Sequence, residues 1–334
     1  MKCVICNGKA SLKKEIRERQ FRKEDFIIVE HFYKCENCGE EFTTTGIDEL
    51  NATQVYNQYR AKHHIPFPEE IVGIREKYNL SASKMSEILG FGINTYRNYE
   101  DGEIPSAANA KFLMLAENPI NFKALLENNG TGLKHNERAE LVNRISELIN
   151  DETKSDYFEL IINQHQEANE FTGFKRPNTE KIKNIVLYFL NNTKKEFADK
   201  VKINKMFYYA DFLNYCQNGY SISGITYRAI TYGPVPSNYD ILYNMCEEEG
   251  IIETKFIRLN DGSAKQLFEP IHEFDNSIFT QTELNTLTRI VDKFKDTSSW
   301  DLVDISHKEK SWIELHASKE LISYQKYGFD LVGI

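Results

Sequence analysis

The sequence predicts a mainly α-helical protein with small β-hairpins, built from three folded parts. Three observations lead to this prediction. Two CxxC pairs within the first 38 residues indicate a zinc ribbon-like module. A run of short segments with helical apolar spacing over residues 69–127 predicts a five-helix domain. After residue 177, helical segments alternate with β-branched and aromatic ones, which predicts an α+β domain.

The composition is that of a globular protein. Hydrophobic residues make up 41% and charged residues 27% of the 334 positions, so a buried core is expected and disorder is not. No apolar run approaches the roughly 18 residues that a membrane helix requires, and the opening MKCVICNGK lacks the hydrophobic region of a signal peptide. We therefore expect a cytoplasmic protein without membrane association.

The net charge of −9 is distributed unevenly along the chain. Residues 1–66 carry +1, residues 67–130 carry −3, and residues 131–334 carry −7. Such a chain is not a general nucleic-acid coat, although a local DNA-reading surface remains compatible with it. The acidic C-terminal part would suit a basic partner, such as a protein that acts on RNA.

The four N-terminal cysteines have the spacing of a structural metal site. A two-residue spacer lets both thiolates of a pair bind one ion, and two pairs complete a tetrahedral site. Alternating side chains at 12–19 and 26–33 predict a hairpin that brings the pairs together. Because four thiolates leave no open coordination position, we expect one structural Zn²⁺ per chain. Its predicted ligands are Cys3, Cys6, Cys35 and Cys38.

Two redox motifs or a disulfide framework are the alternatives for these cysteines. A thioredoxin-like motif needs a βαβ unit, which the surrounding sequence lacks, and a cytoplasmic protein rarely keeps disulfides. Cys216 and Cys246 stand alone and are expected to be core thiols. His31 is a further candidate ligand, but we expect this strand histidine to cover the hairpin instead.

Residues 81–100 contain a helix-turn-helix pattern. Apolar residues at fixed spacing would lock two helices across the turn Gly90-Phe91-Gly92, and Tyr96 and Tyr99 would share the buried face of the second helix. Polar side chains then remain on the other faces, where Asn pairs with adenine and Arg with guanine. The predicted base contacts are Asn94, Thr95, Arg97 and Asn98, and the predicted phosphate contacts are Ser83 and Lys84.

One short helix reads few base pairs, so a homodimer on a two-fold site in double-stranded DNA is expected. A five-helix interaction module that binds no DNA is the alternative. The local charge of −3 favours this alternative, since phosphate attraction supplies much of DNA affinity.

The helix-turn-helix resembles the Xre/Cro-type repressors. Together with the four cysteines and the stretch FGINTYRNYE at 91–100, it resembles the MqsA-type (YgiT-type zinc finger) antitoxins over residues 1 to about 128. In that family an asparagine at the position of Asn94 and an arginine four residues later read the operator. Here the asparagine is kept, whereas Asn98 occupies the later position and Arg97 precedes it. The resemblance implies DNA binding, and in that family the zinc module can also contact a partner toxin.

Most of residues 177–334 resembles the Panacea (SocA-like) domain of antitoxins. Its markers are KMFYYADF at 205–212, GITY at 224–227, YGPVP at 232–236, and, at 306–312, a serine-histidine pair separated by four residues from a tryptophan. The resemblance implies neutralisation of a toxin encoded nearby by direct contact. The toxin contacts expected among these markers are Tyr208, Asp211, Tyr232, Pro234, His307 and Trp312.

The sequence therefore divides into a zinc module at 1–65, a helix-turn-helix domain at 67–128, a helical linker at 129–176 and a Panacea domain at 177–334. We expect a type II antitoxin that represses its own promoter and neutralises a cognate toxin. A one-component regulator that senses a ligand or a protein through its C-terminal part is the alternative. No nucleophile elbow, phosphate loop or metalloprotease motif is present, so an enzyme is not expected.

Overall fold

The structure is a computed structural model that describes residues 1–129, 133–152, 167–258, 262 and 264–334. These residues form two compact units, one made of Met1–Gln58 with Ile161–Ile334 and the other of Tyr59–Leu160, in each case as far as they are described. The first unit is therefore discontinuous in sequence. The four-segment division made from the sequence stays a prediction. Of its linker, residues 130–132 and 153–166 lie outside the described residues.

The first unit begins with an antiparallel hairpin and a long helix. Strand β1 spans Ala10–Phe21, β2 spans Glu24–Cys35, β3 spans Glu41–Phe42, and helix α1 spans Thr45–Lys62. The strand order is β1-β2-β3, and Ala10 pairs with Cys35 at the open end of the hairpin. At the other end, the turn consists of Arg22 and Lys23, which both have positive φ (51° and 68°). This two-residue turn matches the right-handed twist of the strands.

Helix α1 covers the outer edge of β2 with side-chain amides. Asn51 exchanges two 2.9 Å hydrogen bonds with the backbone of His31. Gln54 exchanges hydrogen bonds of 3.0 and 2.9 Å with the backbone of Val29. An uncovered strand edge leaves its N–H and C=O groups unpaired and open to other chains. The amides of α1 thus substitute for a neighbouring strand.

The rest of the first unit is α+β. Its elements are α8 (Thr179–Asn191), a 3₁₀ turn (Lys195–Phe197), α9 (Lys200–Asn218), β4 (Tyr227–Ile230), β5 (Gly233–Pro236), α10 (Tyr239–Glu248), β6 (Ile252–Arg258), β7 (Ala264–Pro270), α11 (Gln281–Phe294), α12 (Ser299–Ser306), α13 (Lys310–Leu315) and α14 (Tyr324–Tyr327). Strands β4 and β5 form one antiparallel pair, and β6 and β7 form another.

Helix α9 is the central element of this part, because its residues from Lys202 to Tyr215 are all buried. Asp211, in the middle of the helix, is 1% exposed. Its carboxylate accepts hydrogen bonds from the backbone N–H groups of Ile222 (2.8 Å) and Ser223 (2.9 Å), from the Ser223 hydroxyl, and from the Tyr227 hydroxyl (2.7 Å). Four donors offset the cost of burying this group and fix the segment that leads into β4.

The second unit is helical. Its helices after the end of α1 are α2 (Pro68–Lys77), α3 (Ala82–Ile88), α4 (Thr95–Glu100), α5 (Ala107–Glu117), α6 (Pro119–Asn129) and α7 (His135–Glu152). Five of these helices, α2 to α6, lie in the segment for which the sequence predicts a five-helix domain. The apolar side chains of α7 extend the same core, since Leu141 and Ile145 cluster with Met85 and Tyr96. Helix α7, placed in the linker by the sequence, thus packs as a sixth helix of this unit.

The predicted fold class is confirmed: the protein is mainly α-helical with small antiparallel hairpins. In the described part of the chain, no helix is both long and apolar enough to cross a membrane.

Candidate metal centre and nucleic-acid interface

The four N-terminal cysteines converge at the open end of the hairpin. Their sulfur atoms all lie within 4.8 Å of one another. The Sγ atoms of Cys3 and Cys38 are 3.7 Å apart, and those of Cys6 and Cys35 are 3.5 Å apart. A tetrahedral site with Zn–S bonds of about 2.3 Å requires sulfurs about 3.8 Å apart. The four thiols therefore have the composition and spacing of a zinc site.

The two cysteine pairs sit in loops with the same hydrogen-bond pattern. Cys3 N–H donates to the Gly8 carbonyl (2.8 Å), just as Cys35 N–H donates to the Glu40 carbonyl (2.9 Å). In each loop the N–H two residues after the first cysteine points at its sulfur, at 3.4 Å. Asn7 (φ 56°) and Gly39 (φ 75°) close the loops in the left-handed region. Two equivalent knuckles thus present two thiols each, as a structural zinc site requires.

The backbone favours the thiolate form of Cys35. Hydrogen bonds from backbone N–H groups, first that of Cys38 and then that of Asn37, lower the pKa of Cys35. The pKa of Cys38 is raised, because the lowering hydrogen bond from the Glu40 N–H is outweighed by hydrogen bonds with Cys6 and Cys35. Metal ligation requires the thiolate, so these donors prepare the loop for a cation. Among the described residues, no other group of His, Cys, Asp and Glu has such an arrangement. His31 lies outside the cluster and packs edge-on against Phe329, at 4.6 Å between ring centroids.

The helix-turn-helix is fixed by a small set of buried contacts. The Ser86 hydroxyl of α3 accepts a 3.0 Å hydrogen bond from the backbone N–H of Tyr96 at the start of α4. The Tyr96 hydroxyl donates to the Ile71 carbonyl of α2 at 2.7 Å. Gly90 ends α3 with φ 71°, a conformation that costs glycine little. The angle between α3 and α4 is therefore set by the interior of the unit.

This arrangement decides which side chains of α4 face solvent. Tyr96 and Tyr99 are buried, whereas Asn94, Arg97 and Asn98 are exposed. Thr95 is half-buried at the helix start. Three of the four predicted base contacts thus lie on the accessible face, where amide and guanidinium groups can reach base edges.

The two predicted phosphate contacts differ in their surroundings. Ser83 is exposed, and Ser81 rather than Ser83 caps α3, accepting a hydrogen bond from the Lys84 N–H. The Lys84 ammonium forms a 2.7 Å ion pair with Glu137 of α7. Sequence reasoning missed Glu137 because it placed α7 in a linker. The apolar stripe of α7 is the sequence signal that could have led to this ion pair. The stripe indicates that α7 packs on another element but does not indicate which one.

The six residues predicted to contact a toxin fall into two groups. Tyr208, Asp211 and Pro234 are buried in the first unit, whereas Tyr232 is exposed and His307 and Trp312 are partly accessible. A buried side chain is unavailable to a partner, so the first three are corrected from contact residues to residues of the interior. The predicted surface is reduced to the neighbourhood of Tyr232.

Two segments of the chain match known protein families. Residues 1–122 match the family described as "Antitoxin component of bacterial toxin-antitoxin system, MqsA". Residues 203–313 match the family described as "Antitoxin SocA-like, Panacea domain". Both matched families are families of antitoxins. Among curated proteins, none is similar enough to the chain to count as a match.

The MqsA-type match covers the four-cysteine cluster and the helix-turn-helix, and the Panacea match begins within α9 and ends within α13. The resemblance seen in the sequence is thereby confirmed for both parts. The cysteine cluster is the zinc-binding arrangement expected of an MqsA-type antitoxin. Both families indicate a regulatory role in a toxin-antitoxin system rather than catalysis.

Proposed function

We propose that this protein is a type II antitoxin that binds a cognate toxin directly through its first unit and represses its own promoter through its second. The occurrence of two antitoxin-family segments in one chain is the observation that carries the proposal. Zn²⁺ in this scheme is structural, since all four ligands are thiols of the protein. A cytoplasmic location belongs to the proposal, because an antitoxin acts where its toxin is made.

DNA binding is supported by the surface of the second unit. Asn94, Arg97 and Asn98 are exposed on or next to α4, while the tyrosines of the same helix are held in the core. A recognition helix presents its first turns to the major groove, where these side chains would meet base edges. A homodimer on a two-fold operator would double the few base pairs that one helix reads.

A mobility-shift assay with the DNA upstream of the gene tests this part. Asn94→Ala and Arg97→Ala should each weaken specific binding at least about tenfold, the loss of one bidentate base contact. Asn121→Ala and Lys111→Ala are the matched controls, because both are exposed residues of the same unit on other helices. Absence of a sequence-specific shift with the unaltered protein would refute promoter binding.

Toxin binding is tested with the purified full-length protein. Truncation at residue 177 is a poor test, because the hairpin and α1 belong to the same compact unit as the C-terminal part. Titration calorimetry of the full chain against the protein encoded by the neighbouring reading frame should show a saturable complex. No heat of binding and no co-elution would contradict direct neutralisation.

A ligand-sensing regulator is the second candidate, and a groove in the first unit favours it. The groove has a volume of about 750 Å³ and lies between β1, β2 and the C-terminal segment. Ile16, Ile27 and Phe329 provide apolar walls, and Lys14 and Asp330 provide charge. A cavity of this size accommodates a small molecule. Operator affinity that changes with an added metabolite, in a gene without a toxin neighbour, would favour this function.

A further inference from the structure

Two aromatic rings form an exposed pair beside the turn between β4 and β5. Tyr232, in the turn, is 53% exposed, and Trp300, in the first turn of α12, is 66% exposed. Their ring centroids are 5.7 Å apart and the planes are inclined by 78°. Exposed Trp and Tyr side chains are enriched at the centres of protein interfaces. Both rings are more than half exposed, so the pair lies outside the buried core.

Side chains of two helices hold the strands on either side of the turn. The Lys205 amino group of α9 donates a 2.8 Å hydrogen bond to the Pro234 carbonyl, and Lys205 is fully buried. The indole N–H of Trp312 donates a 2.8 Å hydrogen bond to the Ile230 carbonyl. The last residue of β4 and the second residue of β5 are therefore both fixed to helices.

Packing restrains the turn further. His307 stacks on Trp312, the residue that holds the Ile230 carbonyl, with 3.7 Å between ring centroids. A Cβ atom on Gly233 (φ 95°) would lie 2.3 Å from the Ser306 hydroxyl, so the turn passes against the end of α12 where only glycine fits. A turn held in this way presents Tyr232 in one position, and a partner need not order it on binding.

An acidic side chain accompanies the aromatic pair. Asp304 is exposed and lies four residues after Trp300 on α12, so the two residues share one side of the helix. Two ring faces and a carboxylate are thus gathered at one place on the surface.

We propose that Tyr232, Trp300 and Asp304 form the contact for an arginine side chain of the toxin. A guanidinium group stacks on an indole face and pairs with a carboxylate at the same time, which suits this combination of groups. The charge of −7 over residues 131–334 favours a basic partner surface. This inference rests on the proposed function, and within it His307 and Trp312 position the contact without making it.

Binding of the full-length protein to the protein encoded by the neighbouring reading frame tests the contact, with affinity measured by titration calorimetry. Trp300→Ala and Asp304→Asn are the test variants. Phe256→Ala and Asp292→Asn are the matched controls, since Phe256 is 72% exposed on β6 and Asp292 is an exposed carboxylate on α11. Thermal unfolding of each variant checks that the fold is kept.

We expect Trp300→Ala to weaken binding at least tenfold, Asp304→Asn to weaken it severalfold at low salt, and both controls to stay within twofold. Trp300→Phe should retain more affinity than Trp300→Ala, because an aromatic face remains. If the unaltered protein binds and the affinities of both test variants stay within twofold of its affinity, this contact is overturned and the proposed function stands. Absence of binding by the unaltered protein would overturn both.

Discussion

The side-chain amide of Asn57 donates a buried 2.8 Å hydrogen bond to the carbonyl of Gly219, 162 residues further along the chain. Asn57 lies on α1, and Gly219 ends α9 in the left-handed conformation (φ 71°). Lys14 of β1 also reaches the carbonyl of Phe329 and pairs with Asp330 at 3.2 Å. The zinc-binding hairpin and the Panacea-type part therefore belong to one folded unit, and their stabilities should be coupled.

Asn57→Ala should lower the free energy of unfolding of the first unit by about 1–2 kcal/mol, because the Gly219 carbonyl loses a buried partner. Denaturant unfolding followed by a probe in the C-terminal part measures the effect. Gln58→Ala is the control, since it removes an exposed hydrogen bond to Ile27. That change should cost less than about 0.5 kcal/mol. Equal losses for the two variants would contradict a special role for Asn57.

Metal removal should destabilise more than the hairpin. Structural zinc sites contribute about 10–16 kcal/mol of apparent binding free energy. We therefore expect a chelator, or Cys3→Ser, to increase amide exchange in β1 and β2 and also in α9. Helices α2 to α6 should keep their protection, because they belong to the other unit. Cys216→Ser is the control, since Cys216 is not part of the cluster. Loss of protection confined to the hairpin would show that the two parts are not coupled.

The buried Lys205 should make stability depend on pH in a defined direction. Burial lowers the pKa of Lys205 to about 7, from an ordinary value of 10.5. Between these values the unfolded chain binds more protons than the folded one, so the contribution of this group to the free energy of unfolding rises with pH from about 7 to about 10.5. Lys205→Met removes this contribution together with the hydrogen bond to Pro234.

Denaturant unfolding at several pH values from 6 to 9.5 tests this. The stability of the unaltered protein relative to Lys205→Met should increase with pH above 7. The exposed Lys293→Met is the control and should give a difference independent of pH. Parallel pH curves for the unaltered protein and Lys205→Met would contradict the prediction.

Glu137 should weaken DNA binding through Lys84. The two side chains pair at 2.7 Å, so a phosphate at Lys84 would have to displace a carboxylate. We expect Glu137→Gln to raise operator affinity about two- to fivefold at low salt, with a smaller gain at high salt. Glu147→Gln, which makes the same charge change on the same helix beside Arg144, should give little gain. Equal gains would indicate an effect of net charge alone.

The sequence predicts best those features whose determinants are local. The zinc ligands lie in two pairs with a fixed spacer, and the buried positions of Tyr96 and Tyr99 follow from their spacing on one helix. The pairing of Asn57 with Gly219 has no such signal, because the two residues meet only after the chain between them has folded. For the same reason the sequence predicts a linker where α7 lies, although Ile145 is fully buried in the core of the second unit.

The candidate toxin contacts show a further limit of sequence reasoning. Tyr208 and Tyr232 are the same residue type in neighbouring motifs, but one lies in the interior beside Ser311 and the other lies at the surface beside Trp300. Helical periodicity does not mark Tyr208 as an interior residue, because α9 is buried on all sides and has no exposed face to contrast with a buried one. Trp300 precedes the motif at 306–312, so the resemblance gave no reason to select it.

Growth of cells that co-express the neighbouring reading frame with the full-length double variant Asn94→Ala/Arg97→Ala tests the central claim most directly. This variant lacks two of the proposed base contacts of the second unit, and its first unit is unaltered. The account predicts that the neighbouring protein alone stops growth, and that the variant restores it as fully as the unaltered protein does. Continued toxicity with both forms at matched expression would contradict neutralisation by direct binding.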